Sequence, residues 1–164
     1  ENSTTPLVLD AGALNCVAKQ PEILLRKKAP IIITPHPGEM SRLTGLATPL
    51  VNAERERVAL DFAQKYGVVT VLKGAGTVIA SPNGKVLVNP TGNSGMATGG
   101  SGDVLAGMTA SILAQGASAF SSVAAAVYLH GLAGDIAAEK YGKISMLPTD
   151  LINCIPLAYK RCGF

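Results

Sequence analysis

A chain of 164 residues, 48% of them hydrophobic, carries enough apolar material for one compact core. Fourteen basic residues against eleven acidic ones leave a net charge of +3, with no basic run, which excludes a nucleic-acid footprint.

Pro6 to Leu9 reads as a short apolar strand ending at Asp10, behind a polar lead, Glu1 to Pro6, that is not expected to be a signal peptide. Ile31 to Ile33 is a second strand, β-branched and without alternation, as suits a strand covered on both faces. It runs into Thr34-Pro-His-Pro-Gly-Glu39. The prolines stiffen the backbone around His36, and Pro37 suits a first helical position. That places His36 near a helix N-cap, aimed at the crevice beyond the strand ends, with Glu39 in the first turn. A loop histidine bonded locally is the alternative. Asn52 to Tyr66 has helical spacing, with Val58, Ala59 and Phe62 on one side and Glu54, Arg55 and Arg57 towards the other; Gly67 ends it.

Val68 to Leu72 is a third strand, and it delivers Lys73 into the turn Gly74-Ala75-Gly76-Thr77. A lysine beside exposed backbone N–H groups suits a phosphate; a plain hairpin turn with a solvated lysine is the competing reading. Thr77 to Ala80 and Val86 to Val88 flank Ser81-Pro-Asn-Gly-Lys85, where Asn-Gly signals a hairpin. Helices are expected at about Asp103 to Gln115, Ser118 to Lys140 and Thr149 to Arg161. The apolar region Val104 to Leu129 is interrupted by Gln115 and Gly116, so it reads as two buried helices and no membrane span. Cys16, Cys154 and Cys162 are widely spaced, without histidines at metal spacing, which points to a reduced, cytoplasmic setting.

The loop Asn93-Ser-Gly-Met-Ala-Thr-Gly-Gly-Ser-Gly-Asp103 concentrates glycines and small residues around one carboxylate, directly before a helix. Glycines let a ligand approach the backbone closely, and a helix start adds its positive dipole end, which together seat a phosphate. A carboxylate in such a seat would repel phosphate unless it served another group, so Asp103 is assigned to a substrate hydroxyl beside a nucleotide phosphate. A tight loop capped by a surface aspartate is the plainer alternative. His130, inside a small-residue helix, is expected to be packed and bonded to a carbonyl, with Asp135 structural or solvated. Strands separated by helices give an α/β architecture, a mainly parallel sheet flanked by helices with an antiparallel hairpin at one side. In such sheets ligands collect beyond the carboxyl ends of the strands, where His36, Lys73 and the Asp103 loop all fall.

Val8-Leu-Asp-Ala-Gly-Ala-Leu-Asn15, Thr34-Pro-His-Pro-Gly-Glu39, Lys73-Gly-Ala-Gly-Thr77, Asn89 to Asp103 and Tyr128-Leu-His-Gly-Leu-Ala-Gly-Asp135, in this order, resemble the ribokinase-like superfamily. The similarity is nearest to the bacterial ADP-dependent NAD(P)H-hydrate dehydratases, also found as the C-terminal domain of a bifunctional repair enzyme. The resemblance implies removal of the hydroxyl from hydrated NADH or NADPH with consumption of ADP, or ATP, giving AMP and phosphate. It implies that His36 and Asp103 contact the hydrate and that Lys73, Gly74, Ala75, Gly76, Thr77 and Gly102 hold the adenine nucleotide. Glu39 falls where related kinases have a glutamate that helps organise Mg²⁺.

The chain departs from the family pattern at Gly12, where an acidic residue is usual. The family domain also has further strands and a glycine-rich loop before the Leu7 to Asp10 segment, whereas only Glu1 to Pro6 precede it here. Residues 1–164 are therefore expected to form one domain that is the C-terminal portion of a larger one, with the N-terminal part as a partner. A homo-oligomer is a further expectation, since the small-residue helices suit a subunit interface as well as a deep core. Two other functions stay open: a kinase of the same superfamily acting on a hydroxymethyl-pyrimidine or thiazole alcohol, and a non-catalytic nucleotide-binding fragment.

Overall fold

The computed structural model describes residues 2–164; Glu1, first in the polar lead, lies outside the described residues. One sheet holds β1 (Leu7–Leu9), β2 (Ile31–Ile33), β3 (Val69–Leu72), β4 (Val78–Ala80) and β5 (Val86–Val88), side by side in chain order. The first three strands run parallel, and β4 and β5 pair antiparallel. Residues 73–77 are too few for a crossover, which takes a dozen or more, so β4 turns straight back along β3. The Asn83-Gly84 signal also holds, with Gly84 at φ 87° in the turn from β4 to β5.

Each face of the sheet carries its own helices. Ile31, Ile33, Leu72 and Val78 pack on α1 (Gly12–Val17), α2 (Pro37–Thr44), α3 (Thr48–Ala53) and α4 (Arg55–Tyr66). Ile32, Val69, Val71 and Ile79 face the other way, onto Leu105 of α5 (Ser101–Leu113) and Val123 and Val127 of α6 (Ala119–Tyr141). All three β2 residues are buried, which is why its sequence lacks alternation. A third layer is α7 (Pro148–Arg161), whose Leu151, Cys154 and Ala158 close over α5 and α6. By length and composition α6 could cross a membrane, yet its apolar residues are shared between the sheet and α7.

Two local expectations change. The helix expected over 52–66 is two helices, because Glu54 leaves the helical region at φ −126°, ψ 42° and α3 starts earlier, at Thr48, with Pro49 in its first turn. Arg55, expected among the solvent-facing polar residues, is half-buried and donates from Nη2 to the Leu72 carbonyl oxygen at 2.9 Å. It precedes Val58, Ala59 and Phe62 by three, four and seven positions, so helical geometry puts it on their buried face, beside the end of β3. The short helix α1 and the 3-10 turns Pro21–Arg26 and Ser94–Met96 are too brief to show a period in sequence.

The loop from β5 to α5 is stitched along α6. Asn89 Nδ2 donates to the Val127 carbonyl, Thr91 Oγ1 to the Tyr128 carbonyl and Asn93 Nδ2 to the Gly134 carbonyl. Asp135 accepts from Gly92 N–H and Asn93 Nδ2, each at 2.9 Å. Gly131 makes the approach possible: a Cβ there would meet Thr91 Oγ1 and stand 2.8 Å from the Thr91 carbonyl carbon. The small residues of α6 thus serve internal packing. His130 is buried and its Nε2 sits 3.0 Å from the Ser101 carbonyl oxygen, tying α6 to the start of α5.

Burial lowers the His130 pKa to about 4, with the Ser101 carbonyl opposing the shift. Unfolded histidine takes its proton near pH 6.5, whereas the folded chain resists it until about pH 4. His130 therefore contributes stability above pH 6.5 that is lost as pH falls through this window; H130Q is expected to flatten that part of the melting-temperature profile relative to the parent. Gly131→Ala is expected to cost about 1–3 kcal/mol in urea unfolding, because the new methyl would meet both the hydrogen-bonded side chain and the backbone of Thr91.

Candidate active site

Three parallel strands end at one place. Asp10 follows β1, Thr34 to His36 follow β2 and Lys73 follows β3. Lys73 joins them: its N–H donates to the Pro35 carbonyl at 2.8 Å and its Nζ to Asp10 Oδ1 at 2.7 Å, with Glu39 Oε2 at 3.9 Å. The ammonium is thus held by carboxylates and is not loose in solvent. Next to Asp10, Ala11 adopts φ 47°, ψ −115°, the one positive φ outside glycine among the described residues, and its N–H donates to Asp10 Oδ1 at 2.9 Å. Backbone strain of this kind persists where the surroundings over-determine it, commonly at functional sites. A side chain at Gly12 would meet nothing within 4 Å, so the position where the family carries an acid is open space here.

His36 is the N-cap of α2, as its flanking prolines imply. Its Nδ1 accepts from Gly38 N–H at 3.0 Å and Glu39 N–H at 3.3 Å. Accepting twice at Nδ1 leaves the ring proton on Nε2, 3.6 Å from Glu39 Oε1. Glu39 is buried and its Oε2 accepts from the His36 N–H at 2.8 Å, which completes a reciprocal capping box. The ring is half-exposed while the glutamate beneath it is enclosed.

Lys73 to Thr77 form a turn with Gly74 at φ 145° and Gly76 at φ 62°, closed by Thr77 Oγ1 donating to the Gly74 carbonyl. Among the described residues no acceptor reaches the N–H groups of Gly74, Ala75 or Gly76. The same holds for Gly102 and Asp103 in the first turn of α5, where Gly100 at φ 96° is the N-cap. Gly102 packs directly on the Lys73–Asp10 pair: a Cβ there would stand in van der Waals contact, 3.4 Å from Lys73 Nζ and 3.6 Å from Asp10 Oδ2. Asp103 is exposed and makes no hydrogen bond or ion pair with the described residues.

All of these groups line one cleft of about 830 Å³: His36, Glu39, the run Lys73 to Thr77, Gly102 and Asp103. Every site residue expected from sequence is therefore on the same surface, where unpaired N–H groups from two loops face an unengaged carboxylate. Sequence reasoning did not assign Asp10, whose pairing with Lys73 spans 63 positions, nor Thr91 and Asn93, which also line the cleft. The Asn89-Pro-Thr-Gly run was their available signal. Among the described residues no three histidine, cysteine, aspartate or glutamate side chains form a metal cage. Carboxylate oxygens around Lys73 do suit Mg²⁺ held through water, since that ion keeps several waters and binds few protein groups.

Comparison with known proteins agrees with this geometry. The Carb_kinase family model, described as NAD(P)H-hydrate dehydratase, matches residues 1–157. The bifunctional NAD(P)H-hydrate repair enzyme Nnr of Moorella thermoacetica is 46% identical over 95% of this chain, which covers 29% of that protein. The ADP-dependent (S)-NAD(P)H-hydrate dehydratase of Bacillus subtilis is 38% identical over 95% of the chain and 55% of its own length. The crystal structure of the ADP/ATP-dependent NAD(P)H-hydrate dehydratase from Bacillus subtilis co-crystallized with ATP/Mg²⁺ superposes with a TM-score of 0.84 at 36% identity. The match covers 95% of this chain and 55% of that one. A ribokinase-like superfamily protein from Enterococcus faecalis gives a TM-score of 0.78 at 33% identity, over 94% of this chain and 52% of that one. The chain thus spans between about a third and somewhat over half of the relatives it matches. It has the ribokinase-like α/β fold and belongs to the NAD(P)H-hydrate dehydratase family.

Proposed function

We propose that this chain carries the nucleotide half of an ADP-dependent NAD(P)H-hydrate dehydratase site, and that the whole domain returns hydrated NADH or NADPH to the reduced cofactor. The observation that carries this reading is the free Asp103 carboxylate standing at a helix start whose N–H groups are unpaired, across one cleft from the Lys73 to Thr77 turn. The turn and the N–H groups of Gly102 and Asp103 hold the diphosphate; Lys73, Gly74, Ala75, Gly76, Thr77 and Gly102 surround it. ADP is the donor expected from the relatives' names, with ATP as an alternative.

Hydroxide leaves poorly and phosphate leaves well, which explains the nucleotide. Asp103 takes the proton of the hydrate hydroxyl as that oxygen attacks the terminal phosphoryl group, and AMP departs. The ring nitrogen's electrons then expel inorganic phosphate, leaving an iminium, and loss of a proton from the adjacent ring carbon to water restores the reduced ring. His36 presents Nε2–H to the hydrate from a ring fixed by its capping bonds. Mg²⁺, held through water with Glu39 contributing, supplies charge neutralisation on the phosphates. Glu39 also holds His36, so one buried carboxylate serves both duties. The three free cysteines fit a cytoplasmic enzyme, and a homo-oligomer is part of the same proposal.

Residues 1–164 are proposed to be the C-terminal portion of a longer domain. The coverage of the relatives supports this, as does β1, which among the described residues lies at the sheet edge, paired with β2 alone and with all three residues half-buried.

The assay supplies hydrated NADH, Mg²⁺ and ADP or ATP, and follows recovery of reduced-nicotinamide absorbance. Recovery supports the dehydratase, nucleotide use with an alcohol product points to a kinase, and binding without turnover points to a non-catalytic fragment. In the active form, Asp103→Asn is expected to lower kcat by about 10²–10⁴-fold with nucleotide affinity retained. Adding the N-terminal part of the domain is expected to raise both activity and melting temperature; full activity and a stable monomer without it would refute the domain assignment.

A further inference from the structure

The cleft contains a charge problem. Its charged lining comprises the carboxylates of Asp10, Glu39 and Asp103 against the ammonium of Lys73, which is itself engaged at 2.7 Å by Asp10, with His36 and His130 as the further titratable groups. Beyond Mg²⁺, backbone dipoles are then the lining's main attraction for a diphosphate. Directly behind the glycine turn, and outside the cleft lining, lies Arg55. Its Nη2 donates to the Leu72 carbonyl at 2.9 Å and approaches the Gly76 carbonyl at 3.4 Å, the residues on either side of the turn. Its guanidinium fills the space at Gly74, where a Cβ would stand 2.9 Å from Nη1 and 3.2 Å from Cζ. No carboxylate pairs with it among the described residues, and its Nε is buried without a partner.

We infer that Arg55 is the positioning residue of the phosphate turn: it clamps the two ends of the turn through the Leu72 and Gly76 carbonyls and supplies, from behind, the positive charge that Lys73 has given to Asp10. The inference rests on the cleft being the nucleotide site. Both effects follow from one geometry. The guanidinium ties the carbonyl before the turn to the carbonyl at its far end, and with the Lys73 N–H committed to Pro35 this fixes the shape of the loop between them. A half-buried cation without a counter-ion, separated from the seat by a single layer of backbone, favours an anion on the far side. Gly74 is glycine because the guanidinium occupies its side-chain space.

The test is titration calorimetry of the 164-residue chain with pyrophosphate, ADP and adenosine, for the parent, R55M and R55K. Pyrophosphate and ADP are expected to bind R55M about tenfold or more weakly, with adenosine unchanged and R55K recovering part of the loss. In the active form the KM for ADP rises while kcat at saturation is largely kept. R55M that is folded and binds pyrophosphate within about twofold of the parent overturns the inference and leaves the nucleotide site standing. Pyrophosphate binding that depends on Arg55, without ADP binding, removes the nucleotide reading and keeps the role of Arg55; binding of neither ligand by the parent removes both. Equal loss of adenosine, with a lowered melting temperature, assigns Arg55 to folding alone and also overturns the inference. If R55M does not fold, the Arg55 Nε–Hε resonance of the parent decides: a shift on adding pyrophosphate supports the role, and no shift overturns it.

Discussion

The Lys73–Asp10 contact at 2.7 Å is the constraint around which the site is arranged. It connects the ends of β1 and β3, strands that are not neighbours, across the end of β2. Both partners are largely enclosed, so neither charge could be left alone without a large penalty. The pair therefore fixes the floor of the cleft, and the first turn of α5 rests on it at Gly102. Neutralising the lysine has a consequence for ligand binding. Attraction for phosphate then rests on backbone N–H groups, on the helix start and on charge from behind the turn.

Around that floor, the polar groups divide between those satisfied within the chain and those left open. Asn89, Thr91, Asn93 and Asp135 are committed to the seam between the loop and α6, and His130 is committed to Ser101. These bonds hold the cleft wall and the base of α5 so that Asp103 projects without a partner. His36 and Glu39 cap one another and so preset the imidazole tautomer. A site whose supporting groups are saturated and whose reacting groups are free is organised for a ligand before one arrives.

Much of this was readable from residue order. Proline on both sides of His36 and glutamate three residues on from it described a capped helix start, and that is what forms. Gly-Ala-Gly after an apolar run described an open turn, and the glycine-rich stretch ahead of Val104 described a helix start free to meet an anion. These are local devices in which the glycine or cap needed by the backbone is written within a few positions. Arg55 was misread because its charge was weighed above its phase: it precedes Val58, Ala59 and Phe62 by three, four and seven positions and so shares their buried face.

Residue types and spacing by themselves determined the α/β class, the hairpin, the three loops that line one cleft and the family resemblance, because each depends on preferences written over short distances. The tertiary structure alone decided that Lys73 is paired with Asp10, that Arg55 sits beneath the turn, and that Thr91 and Asn93 help to line the cleft. Those outcomes join residues 17 to 63 positions apart, and no local preference encodes them. They follow from which strands end together and how closely a helix can approach, and only the folded sheet brings those ends to one place.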